Sequence, residues 1–302
     1  MKLESVPKPT EGMEAGGQIA KPAAVTASKT ATAPAKAVAD GSWAKKRIVI
    51  GKSEKPIVPA GPGLRLETVL GADERTRILE TKDAPWRMIC ALAIEGPWGD
   101  FMGTGWLAGP RTIITAGHCV YETKQMGGWA KKIVISPGRS GDELPFKSVE
   151  SDKFSTTNLW TSKQDPDFDM AAIHLKEPIG DNVGWFQVGS FPDEQLQNYM
   201  VNVSGYPGDR GEGKEQWWAK NRVRAVTPRR IFYEVDTFGG QSGAPVFIYE
   251  AENTPPIVVG IHAYGVGGTP NNIPLQVNSA PRIISEVVAQ IQAWIDQDKA
   301  GG

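Results

Sequence analysis

The stretch Asp236-Thr237-Phe238-Gly239-Gly240-Gln241-Ser242-Gly243-Ala244-Pro245 sets a serine among small, glycine-rich neighbours. With little side-chain bulk beside it, backbone amides can crowd around the Ser242 hydroxyl. Acyl transfer needs that arrangement, a nucleophile with N–H donors converging where an oxyanion develops. A glycine-rich segment on its own reads as a turn. Two further strings give it weight, Thr115-Ala116-Gly117-His118-Cys119-Val120 and Asp169-Met170-Ala171-Ala172-Ile173-His174-Leu175.

The three strings run in the order His, Asp, Ser. A serine hydroxyl becomes a useful nucleophile when an imidazole takes its proton, and a carboxylate fixes that imidazole's tautomer. Chymotrypsin-like proteases use this order, and subtilisin and the α/β-hydrolases use others. The G-x-S-x-G elbow of the hydrolases is absent, because Gly240 stands two before Ser242 but Ala244 two after. A lone histidine is ordinarily structural. Set in a Thr-Ala-Gly turn after Ile113-Ile114, His118 reads as the general base. Asp169, at the entry to the buried-strand pattern Met170-Ala171-Ala172-Ile173, is preferred as the acid over Asp167. Asp165 precedes Pro166 and reads as a loop residue.

The chain has 302 residues, 40% of them hydrophobic, enough for a substantial core. With 33 basic and 34 acidic residues its net charge is −1, which argues against a nucleic-acid partner. No run approaches the roughly 20 apolar residues of a membrane span. Two cysteines allow at most one internal disulfide. No His/Cys cluster has zinc spacing, and no cofactor motif is readable. Residues 1–67 read as a flexible N-terminal activation segment, with an Ala/Lys/Pro/Thr-rich stretch to about residue 40. From Val69 onward, short apolar runs are bounded by Gly, Pro, Asp and Asn, among them 88–94, 104–108, 132–136, 170–175, 200–203, 231–235, 244–248 and 257–261. This spacing predicts an all-β sandwich or barrel. Near the C-terminus, Ile283, Ile284, Val287, Val288, Ile291, Trp294 and Ile295 recur at helical spacing. Pro281 suits a first helical turn. One amphipathic helix, about residues 281–297, is expected to pack on the second barrel.

Taken with Gly109-Pro110-Arg111-Thr112, Ser136-Pro137-Gly138-Arg139, Glu177-Pro178-Ile179-Gly180 and Ser204-Gly205-Tyr206-Pro207-Gly208-Asp209, these strings make the chain resemble the bacterial glutamyl endopeptidase group of chymotrypsin-like serine proteases. The resemblance runs from about Thr68 to the C-terminal helix. It implies two six-stranded antiparallel β-barrels, about 68–182 and about 183–280, with the active site between them. It implies a secreted, monomeric enzyme acting on protein or peptide substrates. The oxyanion donors would be the amides of Gly240 and Ser242. A calcium ion is compatible, as in some relatives, though no ligand loop is readable. Many relatives bond the cysteine beside the catalytic histidine to one in the Thr-Gly-Trp strand. Here that strand, Met102-Gly103-Thr104-Gly105-Trp106, has none, so Cys119 pairs with Cys90 or both stay reduced.

Two readings compete for the specificity pocket. Asp236 stands where trypsin-like enzymes carry the acid that selects Lys or Arg. His262, in Gly260-Ile261-His262-Ala263-Tyr264-Gly265, and Thr237 match the family positions that contact a substrate glutamate. An imidazole N–H and a hydroxyl can both donate to a carboxylate. Cleavage after Glu, then Asp, is preferred, with Gly265 also lining the pocket. Lys46-Arg47-Ile48-Val49 mimics a trypsin activation site, but Gln241 offers no carboxylate to the amine it would release. The family's mature chains begin near a segment like Thr68-Val69-Leu70-Gly71, which predicts self-processing at Glu67-Thr68 and a new α-amine beside the pocket. Met1-Lys2-Leu3-Glu4-Ser5-Val6-Pro7 carries no signal-like apolar run, which leaves export open and admits an intracellular regulatory protease. A catalytically silent binding domain is the alternative from another class. The cluster Arg222, Arg224, Arg229 and Arg230 reads as a solvated strand face, and His174 as structural or surface-facing.

Overall fold

Alternating apolar residues between turn formers build strands, because a pleated strand buries every second side chain. The computed structural model describes residues 3–9, 68–266 and 276–301. In chain order its strands are β1 (Ser5–Pro7), β2 (Thr76–Arg77), β3 (Ile89–Glu95), β4 (Asp100–Leu107), β5 (Thr112–Thr115), β6 (Tyr121–Glu122), β7 (Gly128–Trp129), β8 (Lys132–Pro137), β9 (Val149–Ser151), β10 (Phe154–Thr157), β11 (Ala171–His174), β12 (Gln187–Val188), β13 (Met200–Gly205), β14 (Trp217–Val226), β15 (Arg230–Tyr233), β16 (Pro245–Ile248), β17 (Ile257–Ile261) and β18 (Asn278–Pro281). The α-helices are α1 (Asn158–Lys163), α2 (Gly180–Val183), α3 (Asp193–Gln197) and α4 (Ser285–Ala300).

Two large sheets form, followed by a C-terminal helix, as expected. The first runs β1-β10-β11-β5-β4-β3-β8-β9. The second runs β12-β17-β16-β13-β14-β15-β18, with β2 added beside β14. Each has eight strands rather than six, because short segments extend them. Pairing is antiparallel in both apart from β12 with β17. Ile113, Ile114, Ile133, Ile135, Trp106 and Ile173 are fully buried in one apolar cluster. Val201, Val203, Ile231, Val246 and Tyr233 are fully buried in the other.

Four expectations change. Residues 3–9, inside the segment read as flexible, form a strand on β10. Residues 68–77, assigned to the first barrel, attach to the second through β2–β14 pairing. Pro281 pairs with Arg230 in β18, so the helix starts four residues later, at Ser285. Helix α4 packs on the first barrel, not the second. Its buried Val287, Ile291 and Trp294 join the cluster of Ile113 and Ile173. Its Asp298 carboxylate accepts from Thr112 Oγ1 at 2.5 Å and bonds His174 Nδ1 at 2.7 Å.

Candidate active site

Strand β5 ends at Thr115, and the chain turns sharply through Gly117–Cys119. A Cβ on Gly117 would stand 2.8 Å from Trp160 Cδ1 and 2.9 Å from Asp169 Oδ1. Glycine therefore lets the turn close onto the carboxylate. Asp169, with no exposed surface, receives three hydrogen bonds. The His118 backbone N–H donates to Oδ1 at 2.8 Å, His118 Nδ1 lies 2.8 Å from Oδ2, and the Tyr264 hydroxyl donates to Oδ2 at 2.5 Å. Burial pushes the His118 ring toward neutrality. The Asp169 charge, aided by Cys119, outweighs it and holds the ring's pKa well above its ordinary value. Burial and then the same carboxylate raise the Tyr264 phenol, which remains a donor.

The neighbouring acids have other work. Asp165 accepts from Asp167 N–H at 3.1 Å and caps its own turn. Burial, then repulsion from Asp165, raises the Asp167 carboxyl. The backbone flanking Asp169 is tied on both sides. Thr157 Oγ1 donates to Phe168 O at 2.8 Å and Thr156 Oγ1 to Met170 O at 2.7 Å.

Ser242 reaches the same place from the second barrel. Its carbonyl accepts from Thr104 N–H at 2.8 Å and from Cys119 Sγ at 3.6 Å, one residue from His118. Gly243, at φ +88°, makes this approach possible, since a Cβ there would fall 2.1 Å from Thr104 O and 2.2 Å from Thr115 Oγ1. Gly240, at φ +104°, is packed so that a Cβ would lie 2.6 Å from Tyr206 O. Both positions favour glycine sterically. The Gly243 N–H donates to His262 O at 2.7 Å and joins the serine loop to the β17 edge.

The residues expected to line the pocket, Asp236, Thr237, His262 and Gly265, are all buried. Asp236 is almost completely buried, and its carboxylate accepts from Leu70 N–H at 2.6 Å and Glu74 N–H at 2.8 Å. It is engaged by the chain itself. Burial raises its carboxyl pKa. His262 is fully buried with Nδ1 2.5 Å from the Tyr233 hydroxyl. Burial, then repulsion from His118, lowers its pKa to about 3, so the ring is neutral. Thr237 is fully buried, and its hydroxyl has no hydrogen-bond partner among the described residues. Its N–H points to Thr68 O at 3.4 Å. Thr68 N–H donates to Asn278 Oδ1 at 3.1 Å, and Val266 N–H donates to Thr68 Oγ1 at 3.3 Å. Gly265 is buried between Tyr264 and Val266. The Arg75 guanidinium anchors this segment, bonding Asp209 at 2.6 and 2.9 Å and Asp73 at 2.9 and 3.0 Å. Glu67 and residues 46–49 lie outside the described residues.

Other expectations divide. Arg222 and Arg224 are exposed and face Glu234. Arg230 is buried against the Tyr264 and Phe232 rings and bonds Ser279 Oγ, so the cluster is not one solvated face. His174 is structural, held between Asp298 and Ser155 Oγ. Cys90 and Cys119 are both free and buried. Residue-by-residue reading missed Tyr264, although it stands two residues from His262 in a string already singled out.

Known proteins are similar to this chain in sequence and fold. The trypsin family model matches residues 77–284. The glutamyl endopeptidase of Bacillus licheniformis is 36% identical over 80% of this chain and 73% of its own length. A Bacillus subtilis protein named extracellular metalloprotease is 32% identical over 78% of this chain and 72% of its own. Among the described residues, no three His, Cys, Asp or Glu side chains gather where they could hold a metal ion. A solved Glu endopeptidase in complex with MPD superposes with a TM-score of 0.66 at 27% identity, covering 76% of this chain and all of that one. The two sheets are thus the chymotrypsin-like pair, and the chain belongs to the trypsin family of serine endopeptidases.

Proposed function

We propose that this endopeptidase cleaves after Glu, then Asp, with Ser242 as nucleophile, His118 as general base and Asp169 as the acid that orients it. The observation that carries the specificity is Thr237, a fully buried hydroxyl with no hydrogen-bond partner among the described residues; His262, fully buried and neutral, is the second candidate donor. A buried polar group without a partner is costly and calls for an explanation, and a substrate carboxylate supplies one. In the tautomer whose Nδ1 accepts from the Tyr233 hydroxyl, the ring carries its N–H on Nε2, where it serves as a second donor. Asp236 is almost completely buried with each carboxylate oxygen accepting a backbone amide, which disfavours it as a cation-selecting charge.

Catalysis then follows from the chain's own groups. His118 Nε2 takes the Ser242 proton as Oγ attacks the scissile carbonyl carbon. Asp169 and the Tyr264 hydroxyl hold the imidazole's orientation and stabilise its cation. The amides of Gly240 and Ser242 receive the oxyanion, each donor worth about a hundred- to thousandfold in rate. The tetrahedral intermediate collapses as His118 gives the proton to the leaving amine. A water, deprotonated by His118, then hydrolyses the acyl-enzyme. Processing at Glu67-Thr68 would free an α-amine at the Thr68 nitrogen. That nitrogen already donates to Asn278 in the segment beside Thr237, where its charge would favour a glutamate side chain. Secretion and action as a monomer accompany this reading.

The test is N-terminal sequencing of the active enzyme alongside cleavage of peptides differing only at the residue before the cut. Active chains starting at Thr68 and cuts after Glu support the proposal. A start at Ile48 and cuts after Lys or Arg would overturn it.

A further inference from the structure

The N-terminal segment is built into the catalytic barrel. Ser5 pairs with Thr157, Val6 with Thr156 and Pro7 with Ser155. The Asn158 N–H donates to Glu4 O at 2.9 Å and the Lys8 N–H to Phe154 O at 2.8 Å. Antiparallel pairs alternate between bonded and non-bonded, so Glu4, Val6 and Lys8 face the ladder and Pro7 does not. Proline is tolerated on an edge strand at such a place. Side chains fasten the strand further. Trp294 Nε1 donates to Ser5 Oγ at 2.8 Å, Asn158 Nδ2 donates to Glu4 Oε2 at 2.9 Å, and the Lys8 ammonium sits 5.2 Å above the Phe154 ring. Leu3 packs against the first barrel's core.

What β1 covers gives this docking a function. Strand β10 carries Thr156 and Thr157, whose hydroxyls hold the carbonyls on either side of Asp169. Val6 and Ser5 lie opposite those two threonines. We propose that residues 3–9 are a positioning strand, docked on the free edge of β10, that keeps the Asp169 turn in register with His118. This rests on reading Asp169 as the triad acid. The occupant of the β10 edge is the chain's own N-terminus, and without it β10 would present an unpaired edge.

Two measurements test this, one on the uncut chain and one on active enzyme that keeps residues 1–67 bound after the cut at Glu67-Thr68; active enzyme that has lost residues 1–67 with undiminished kcat overturns the proposal. Hydrogen exchange on Ser242→Ala, which cannot process itself, reads docking directly. The Val6 and Lys8 amides are expected to exchange far more slowly than in the free peptide of residues 1–9. Exchange as fast as in that peptide overturns the proposal, whatever the role of Asp169. Steady-state kinetics then compare Val6→Pro, which removes a ladder donor, with Val6→Thr. Val6→Pro should lower kcat roughly tenfold or more, as small misplacements of catalytic groups do, with KM unchanged. Adding the 1–9 peptide should restore kcat, and Val6→Thr should match wild type. An unchanged kcat in Val6→Pro, or a loss spread equally over kcat and KM that the peptide does not reverse, refutes positioning. Wild-type activity in Asp169→Asn would instead sink the acid assignment and leave the exchange result standing.

Discussion

Replacing Thr237 with valine swaps a hydroxyl for a methyl group of nearly the same size, and two effects of opposite sign follow. In the free enzyme the hydroxyl is fully buried and has no hydrogen-bond partner among the described residues. Leaving such a group unsatisfied costs about 1–3 kcal/mol, so Thr237→Val should be as stable as the parent or more stable by up to about that amount. In the substrate complex the same hydroxyl would donate to the glutamate carboxylate. A hydrogen bond to a charged group contributes about 1.5–3 kcal/mol, which is roughly a ten- to hundredfold change at about 1.4 kcal/mol per factor of ten. The backbone bond from Thr237 N–H to Thr68 O survives the change. The assay pairs urea denaturation with kcat/KM on two peptides that differ only in Glu or Ala before the cut. The expected result is an unmoved or raised midpoint, a roughly ten- to hundredfold loss on the Glu peptide and little change on the Ala peptide. A destabilised variant that keeps its Glu preference would mean that the hydroxyl is satisfied in the free enzyme and does not bind the substrate.

Other outcomes follow from the same geometry. Tyr264→Phe removes the 2.5 Å donor from the buried Asp169 carboxylate. It should lower kcat roughly tenfold or more while leaving the preference for Glu over Ala intact. His118 must be neutral to act as base, and its pKa stands well above the ordinary 6.5. Activity should therefore fall as pH drops through that raised value, and Asp169→Asn should cost on the order of 10⁴ in kcat. Since His262 titrates at about 3, the Glu-over-Gln preference should stay level across the titration of an ordinary histidine near pH 6.5. A preference that vanishes above that pH would mean an imidazolium does the binding. Asp236→Asn should weaken the acceptor of two amides, lower stability by about 1–3 kcal/mol and shift the specificity profile in no way toward neutral or basic residues.

Much of the site was legible because its residues sit in short strings with local constraints. Gly117 beside His118 and Gly243 beside Ser242 mark places where one backbone must approach another closely, and glycine announces this in the sequence. The strand pattern was equally readable, since alternation and turn residues act over a few positions. What escaped depends on contacts between distant segments. Tyr264 meets Asp169 across 95 residues, and nothing local to a tyrosine says which acid it will touch. Asp236 looked like a pocket charge until Leu70 and Glu74 were seen to occupy it. The docking side of α4 depends on contacts with distant segments, Asp298 meeting Thr112 and His174 and the apolar stripe entering the cluster of Ile113 and Ile173. Strand β1 is three residues long beside a stretch rich in Ala, Lys and Pro, so its composition hid its pairing.

A mixed peptide library reads out a serine-dependent cut after an acidic residue in one digest. The active enzyme and the full chain carrying Ser242→Ala would be run side by side and every product terminus read by mass spectrometry. Cuts after Glu, fewer after Asp, and none in the Ser242→Ala digest are expected. Cuts after Lys or Arg would assign the pocket to a cation, and cleavage that persists without the Ser242 hydroxyl would rule out Ser242 as the nucleophile.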